Sequence, residues 1–397
     1  MKTAWPKKAI GELCDIVNGG TPDTRVPEYW SGQNLWITPA EMGKRTTPYV
    51  SDTARKISDL GLRDSSATLL PANSVILSSR APIGHLVINS VPMATNQGCK
   101  GLVPKNGLNS KFLYYYLLGK VDVLESLGTG ATFKELSASK LKDVAVPIVP
   151  DTEQRRIVGV LDQAFAAIAT TRANAEKNLQ NARALFQSEL RTIVDAVWKS
   201  SSTVALSELA SDITDGDHLP PPKSASGVPF ITIGNIVKET RKIDFSDTFM
   251  VPRAYFDALK PNRKPRTGDV LYTVTGSFGI PVLVETDQEF CFQRHIAIIR
   301  PNRDTKPKWL CYLLSSPQLF QQADDAATGT AQRTVSLRAL RNLAVPHASP
   351  DAQDAAVARL DLVWEQTERL QSVYTQKIAA LDELRKSLLH EAFNGRL

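Results

Sequence analysis

Cysteine and histidine are scarce in this 397-residue chain, and the few present lie far apart. Cys14, Cys99, Cys291 and Cys311 form no C-x-x-C pair. That spacing excludes a zinc ribbon and a disulfide framework, and predicts buried free thiols in a reducing compartment. The five histidines occur singly, and His390-Glu391 lacks the second histidine of a zinc-protease helix. No apolar run approaches the ~18 residues that span a bilayer, and the opening M-K-T-A-W-P-K-K has no signal-peptide core. The expectation is a soluble, cytoplasmic protein with no membrane contact.

Catalytic motifs are missing too. There is no G-x-x-x-x-G-K-[ST] phosphate loop, and Gly128-Thr129-Gly130-Ala131-Thr132-Phe133 lacks the last glycine of a dinucleotide fingerprint. No Asn/Asp-Pro-Pro-aromatic motif for amino methylation occurs, and Leu219-Pro220-Pro221-Pro222 reads as a proline turn. Pro150-Asp151 imitates the start of a nuclease motif but enters a helical pattern. These separate absences predict a chain that catalyses nothing, with no catalytic or metal-binding residue to nominate.

What is present is a module used twice. Val146–Asp162 (V-P-I-V-P-D-T-E-Q-R-R-I-V-G-V-L-D) recurs as Val345–Asp361 (V-P-H-A-S-P-D-A-Q-D-A-A-V-A-R-L-D), 199 residues on. At that offset Thr129/Thr328, Gly130/Gly329, Ser137/Ser336, Leu141/Leu340, Gln154/Gln353 and Asp162/Asp361 coincide. An internal period of this length marks two copies of one domain. Further back the copies keep their order while the register slips. Phe230-Ile231-Thr232 answers Trp36-Ile37-Thr38, Asp269-Val270-Leu271 answers Ser74-Val75-Ile76, Gly279 answers Gly84, and Gln293 answers Gln97. Such a frame with diverging loops fits one scaffold carrying two recognition surfaces.

Residues 8–145 read as short strands and turns with few helices. Leu35–Thr38 and Ser74–Ser79 are predicted strands, broken at Arg80-Ala81-Pro82-Ile83-Gly84 and resumed at His85–Asn89. Lys111–Leu118 (K-F-L-Y-Y-Y-L-L) reads as a buried helix, with strand as the alternative.

After each domain comes a long helical pattern. The first has apolar positions at Phe165, Ile168, Ala175, Leu179, Ala182, Phe186, Ile193 and Val197. The second, Leu360, Trp364, Thr367, Leu370, Tyr374, Ile378, Leu381, Leu384 and Leu388, averages the 3.5-residue step of a coiled-coil seam. Each helix of about 45 residues would reach roughly 65 Å. Pairing the two seams antiparallel buries both and sets one globular domain at either end of a rod, about an approximate twofold axis. Two helices packed separately on their own domains is the alternative. The fold class expected is α+β: two mixed α/β domains joined by two long antiparallel coiled-coil helices, with a pseudo-twofold internal repeat.

A net charge of +6 favours a polyanionic partner only modestly. Its distribution says more, because Lys223–Arg266 holds nine Lys/Arg against four Asp/Glu, inside a globular region.

At E-Q-R-R-I-V-x-x-L-D (Glu153–Asp162) and L-R-K-S-L-L-H-E-A-F-N-G-R-L (Leu384–Leu397) the sequence resembles the DNA specificity subunit of type I restriction-modification systems. G-G-T-P, Tyr29-Trp30, Trp36-Ile37, S-S-R-A-P-I-G (Ser78–Gly84) and N-Q-G-C-K (Asn96–Lys100) carry the same resemblance. The second half departs from it, with T-V-T-G-S-F-G (Thr273–Gly279) and F-Q-R-H (Phe292–His295) at the matching places.

The resemblance implies target-recognition domains at 1–150 and 200–350, and spacer helices at 151–199 and 351–397. It also implies double-stranded DNA, two modification (methyltransferase) subunits and restriction (endonuclease/translocase) subunits as partners. No cofactor is expected on this chain; S-adenosylmethionine, ATP and Mg2+ belong to the partners. Two unlike half-sites would be read, about one helical turn apart centre to centre, with unread base pairs between them.

Base reading needs donors and acceptors on exposed loops. In the first domain the candidates are Lys44, Arg45, Arg80, Asn96, Gln97, Lys100, Thr132 and Lys134. In the second they are Arg241, Lys242, Thr275, Ser277, Gln293, Arg294, Gln332 and Arg333. A coiled-coil scaffold with two protein-binding heads and no role on DNA, and a self-sufficient methyltransferase, are the competing functions.

Overall fold

The structure, a computed structural model, describes residues 5–105, 107–130, 134–216, 221–238, 240–330 and 332–397. The architecture is α+β, and the chain divides into two compact units. One comprises Met1–Ala175 with Gln376–Leu397, and the other Glu176–Thr375. Each unit therefore takes in a globular domain and a length of both long helices, Asp151–Lys199 and Pro350–Phe393.

The first unit is built on a five-stranded sheet in the order Cys14–Asn18, Cys99–Pro104, Val75–Ser79, Ile83–Asn89, Tyr49–Val50. Val75–Ser79 is buried along its whole length, which is why it opens on three consecutive apolar residues rather than alternating, and its two serines are small enough to be buried with them. Val75 and Leu77 face one core with the helix Ser110–Leu118, while Ile76 faces another with Val87, Cys99 and Met42. That helix settles the choice left open for Lys111–Leu118. Asn109 caps it, accepting hydrogen bonds from the Lys111 and Phe112 amides at 2.9 and 3.0 Å, and Phe112–Leu117 are all buried. A smaller sheet joins Arg55–Ile57, Asn34–Ile37 and, in parallel, Ala94–Thr95.

The second unit repeats this plan with a four-stranded sheet, Ala210–Asp215, Ile296–Pro301, Val270–Thr273, Pro281–Leu283. Its smaller sheet joins Phe249–Val251, Val228–Ile231 and, again in parallel, Cys291–Phe292. The matched glycines Gly84 and Gly279 both adopt positive φ, +106° and +88°. At each the next helix presses so close that a Cβ would strike Val121 or Phe320, so glycine is required twice over. The helices bearing those two residues, Val121–Leu127 and Pro317–Ala326, are elements the strand-and-turn expectation did not foresee.

Each domain is fastened to a long helix by the same bonds. In the first unit Lys7–Ala9 pairs antiparallel with Ala145–Pro147, and the helix begins four residues later. One turn in, the buried Gln154 carboxamide donates to the Gly107 and Val149 carbonyls (2.7 and 2.8 Å) and accepts from the Asn109 amide (2.8 Å). Two turns further, Asp162 accepts from Lys111 Nζ (2.8 Å) and Tyr115 OH (2.6 Å). Burial first, then the Asp162 carboxylate, push the Tyr115 hydroxyl above the ordinary phenol range, so it remains a donor.

In the second unit Ser202–Ala205 pairs with Ala344–His347. There Gln353 bonds the Asp304 and Ala348 carbonyls and the Lys306 amide, and Asp361 accepts from Lys308 and Tyr312. The 199-residue coincidences at Gln154/Gln353 and Asp162/Asp361 are thus duplicated joints.

Within each unit the long helices run antiparallel. In the first, Arg385 lies 5.0 Å over the Phe165 ring, Arg172 pairs with Asp382, and Arg156 donates to the Leu397 carbonyl at 2.7 Å. In the second, Phe186 meets Trp364 edge-on at 4.8 Å, Arg183 donates to Gln371 at 3.1 Å, and Arg359 pairs with Glu189 at 3.1 Å. The first predicted stripe is buried or half-buried throughout, with Leu190 and Val194 added where the helix meets the second core. The second stripe needs correction. Leu370 and Leu384 are exposed, and near the end Leu389 and Ala392 are buried instead, because those turns pack on the first domain's core.

Replacing Gln154 or Gln353 by Ala removes three hydrogen bonds and strands buried carbonyls and an amide. Each change is expected to cost about 2–4 kcal/mol in urea unfolding, against under about 0.5 for the exposed Gln163→Ala. Equal costs at Gln154 and Gln163 would remove the joint from this account.

Candidate nucleic-acid interface

Three loops meet at one edge of each domain, and main-chain bonds hold them there. In the first unit the Ser79 amide donates to the Gly98 carbonyl (2.7 Å), and the Leu136 amide to the Ser79 carbonyl (2.9 Å). Arg80 and Glu135 form an isolated antiparallel bridge, as do Thr129 and Glu135. In the second, the Val274 amide donates to His295 O and the Val335 amide to Val274 O, both at 2.8 Å. The bridges there are Thr275 with Thr334 and Thr328 with Thr334.

A fourth segment supports the cluster from below. Gly19, of the G-G-T-P motif, passes against Asn96 and Thr95, where a Cβ would overlap the Asn96 carbonyl oxygen; Gly216 does the same against Phe292 and Gln293. Thr21 Oγ1, from the same motif, donates to Gln97 Oε1.

This geometry brings Arg80, Asn96, Gln97, Lys100 and Lys134 together in the first unit, and Thr275, Ser277, Gln293, Arg294, Gln332 and Arg333 in the second. Thr132 and the start of the proline turn at Leu219-Pro220 lie outside the described residues. Gln97, Lys134, Ser277, Arg294 and Gln332 are exposed, with Gln332 Nε2 beside Gly276. Asn96 is half-buried and accepts from the Gly98 amide at 2.9 Å, shaping its own turn. Gln293 is likewise half-buried, its main chain bonded to Ile231 and Ile296.

Not every candidate presents its side chain to solvent, contrary to the expectation of exposed donors. Lys100 is 7% exposed, beside Glu135, and Thr275 is 6% exposed, accepting from Thr334 Oγ1 at 3.3 Å. Arg45 is exposed but tied to Glu41 (2.5 Å) and the Asp52 carbonyl (2.7 Å), whereas its neighbour Lys44 is exposed after the helix Pro39–Met42. Arg333 is exposed, but its guanidinium donates to the Asp324 carboxylate (2.5 Å) and to the Asp324 carbonyl, and lies 5.6 Å from the Phe278 ring.

Arg241 and Lys242 lie apart from the loop cluster. Arg241, at φ +53°, sits 5.6 Å over Phe186 and 5.8 Å over Trp364, and burial depresses its pKa. Lys242 borders a cleft of about 240 Å³ with Lys308, Tyr312 and Trp364. The residue overlooked by the sequence reasoning is Glu135, an acceptor at the centre of the first cluster.

His295 has its pKa lowered by burial and then by neighbouring Arg294, so it is neutral near pH 7. Burial holds the thiols of Cys14, Cys99 and Cys291 up at about 12 and that of Cys311 at about 11, so none is a ready thiolate. Among the described residues no group of three His, Cys, Asp or Glu could hold a metal ion, and no helix is long and apolar enough to cross a membrane. The clusters offer hydrogen-bond donors, acceptors and cations on bonded loops, which suits reading of base edges and phosphates.

Comparison with known proteins bears out the resemblance carried by the motifs. Residues 2–180 match the type I restriction modification DNA specificity domain. The MjaIX specificity subunit of Methanocaldococcus jannaschii is 36% identical over 159 residues, 40% of this chain and 37% of that protein. The chain thus spans little more than a third of that relative. The EcoBI specificity subunit of Escherichia coli is 23% identical over 335 residues, 78% of this chain and 70% of that one. A chain solved in work on complex assembly and conformational transition of the type I R-M system superposes with a TM-score of 0.78 at 18% identity. The superposition covers 100% of this chain and 99% of the other, and shows a shared fold.

Arg241→Ala removes a desolvated cation from two aromatic faces and is expected to lower the melting temperature by about 3–6 °C, whereas Arg294→Ala should leave it within about 1 °C. Calorimetry of both variants checks the assignment, and matching shifts would contradict it.

Proposed function

We propose that this chain, whose residues 2–180 match the type I restriction modification DNA specificity domain, is a member of that family, reads a bipartite DNA target and assembles methyltransferase and restriction subunits around it. The observation that carries this reading is the loop cluster built twice on one main-chain plan with unlike side chains. Each domain reads one half-site. Arginine and lysine anchor phosphates or read guanine, and the amides of Gln97, Gln293 and Gln332 read adenine or hold register. Because the two surfaces differ, the half-sites differ and the target is asymmetric. The chain performs no chemistry; S-adenosylmethionine, ATP and Mg2+ are bound by its partners.

The long helices supply the docking surface. Leu362 and Val373 are 56% and 51% exposed. Eleven residues apart, they fall within about 20° of each other on the second long helix. With Leu370, 40% exposed, between them along the helix, they supply the aliphatic contacts for the partner in this proposal. Two copies of the domain-to-helix joint fit two methyltransferase subunits, one for each.

Two experiments test the halves of this proposal. Arg294→Ala should reduce the slope of log affinity against log salt by about one, or relax the second half-site, while Lys242→Ala leaves sequence preference unchanged. Identical behaviour of the two variants would move the interface off the loop cluster. Leu362→Glu combined with Val373→Glu should abolish co-purification with the methyltransferase subunit and preserve DNA affinity; retained assembly would contradict docking there.

A further inference from the structure

The two loop clusters share their main-chain plan but differ at one pair of positions. Where the second unit bridges Thr275 to Thr334, both neutral, the first bridges Arg80 to Glu135. Glu135 serves two cations at once. Its Oε2 lies 3.9 Å from Arg80 Nη1, and its Oε1 lies 4.0 Å from Lys100 Nζ.

The cations are not equivalent. The Lys100 side chain is 9% exposed, and among the described residues its ion pair is with Glu135. A buried ammonium deprived of its counter-ion is strongly unfavourable, so Lys100 keeps Glu135 where it is. The Arg80 side chain is 37% exposed at the surface of the same cluster, on the strand-to-loop junction. Its pairing is loose beside the 2.5 Å contacts that close Arg45 onto Glu41 and Arg333 onto Asp324. A guanidinium held at 3.9 Å keeps donors available for a second acceptor, and two cations on one carboxylate leave one positive charge uncompensated. Guanine O6 and N7 form the base edge that two parallel guanidinium N–H groups fit.

We propose that Glu135 is the positioning residue of the first reading surface: shared between buried Lys100 and surface Arg80, it aims the Arg80 fork at a guanine in the first half-site. Among the described residues, the second surface has neutral threonines at the equivalent bridge in place of this carboxylate. This inference rests on the DNA-reading function proposed above. Glu135 was invisible to a search for donors because it accepts, and its value lies in which cation it leaves partly unpaired.

The test is selection from a randomised duplex library by the full-length chain, its Glu135→Gln variant and its Arg80→Lys variant. Base frequencies are read at every position, and affinity for unrelated duplex is measured alongside. The wild-type chain is expected to select a guanine in one half-site. Both variants should lose that preference about ten-fold or more at that base, with the other half-site unchanged. Glu135→Gln, which deletes a negative charge, should also bind unrelated duplex more tightly, an effect that a purely structural role would not produce. Should Glu135→Gln unfold for want of a counter-ion to Lys100, Arg80→Lys decides the matter alone. Undiminished guanine preference in the folded variants overturns the role of Glu135 and leaves DNA reading intact. A wild-type chain that selects no sequence contradicts DNA reading itself and takes this inference with it.

Discussion

Each globular domain is held by a carboxamide and a carboxylate placed one and three turns into a long helix. Gln154 and Gln353 are 2% exposed, and each makes three hydrogen bonds to main-chain groups that would otherwise be stranded. Asp162 and Asp361 each take a lysine and a tyrosine from the domain's principal buried helix. Burying polar groups this deeply is tolerable only when every partner is present, so the joint makes helix and domain one rigid piece. The positions of the reading loops inherit that rigidity, because the same sheet carries the strands that end in them.

The bonds that join one loop to the next at matching places in the two units are main-chain bonds. That is why S-S-R-A-P-I-G and T-V-T-G-S-F-G can occupy matching places. The amide of Ser79 or Val274 reaches the Gly98 or His295 carbonyl whatever side chain sits above it. Recognition chemistry can therefore change without moving the scaffold. The first surface acquires an Arg80–Glu135–Lys100 cluster while the second carries Arg294, Ser277 and Gln332 over neutral threonines. Glycine supplies the remaining constraint: Gly19 and Gly216 lie under the loops where no side chain fits.

The repeat was legible because residues that fasten helix to domain coincide at one offset: Gln154/Gln353 and Asp162/Asp361 lie 199 residues apart, while their partners Lys111/Lys308 and Tyr115/Tyr312 have slipped out of that register. The strand and the buried helix were legible because burial on every side leaves consecutive apolar residues at Val75–Leu77 and Phe112–Leu117. Exposure of a cation is not written in its letter. Lys100 and Arg241 looked like surface donors, but one is buried beside half-exposed Glu135 and the other lies against two aromatic rings, outcomes decided by residues distant in sequence. The seam of the second helix shifted near its end for a related reason. A heptad pattern describes a helix meeting a helix, whereas Leu389 and Ala392 meet a domain core.

The central claim is that two separately built surfaces on one chain read two separate stretches of DNA. Hydroxyl-radical footprinting of the full chain on a duplex carrying its selected target addresses this most directly. Two protected patches flanking a stretch whose bases can be changed without loss of affinity are the predicted result. One continuous patch in which every base matters, or protection that ignores sequence, would contradict the account.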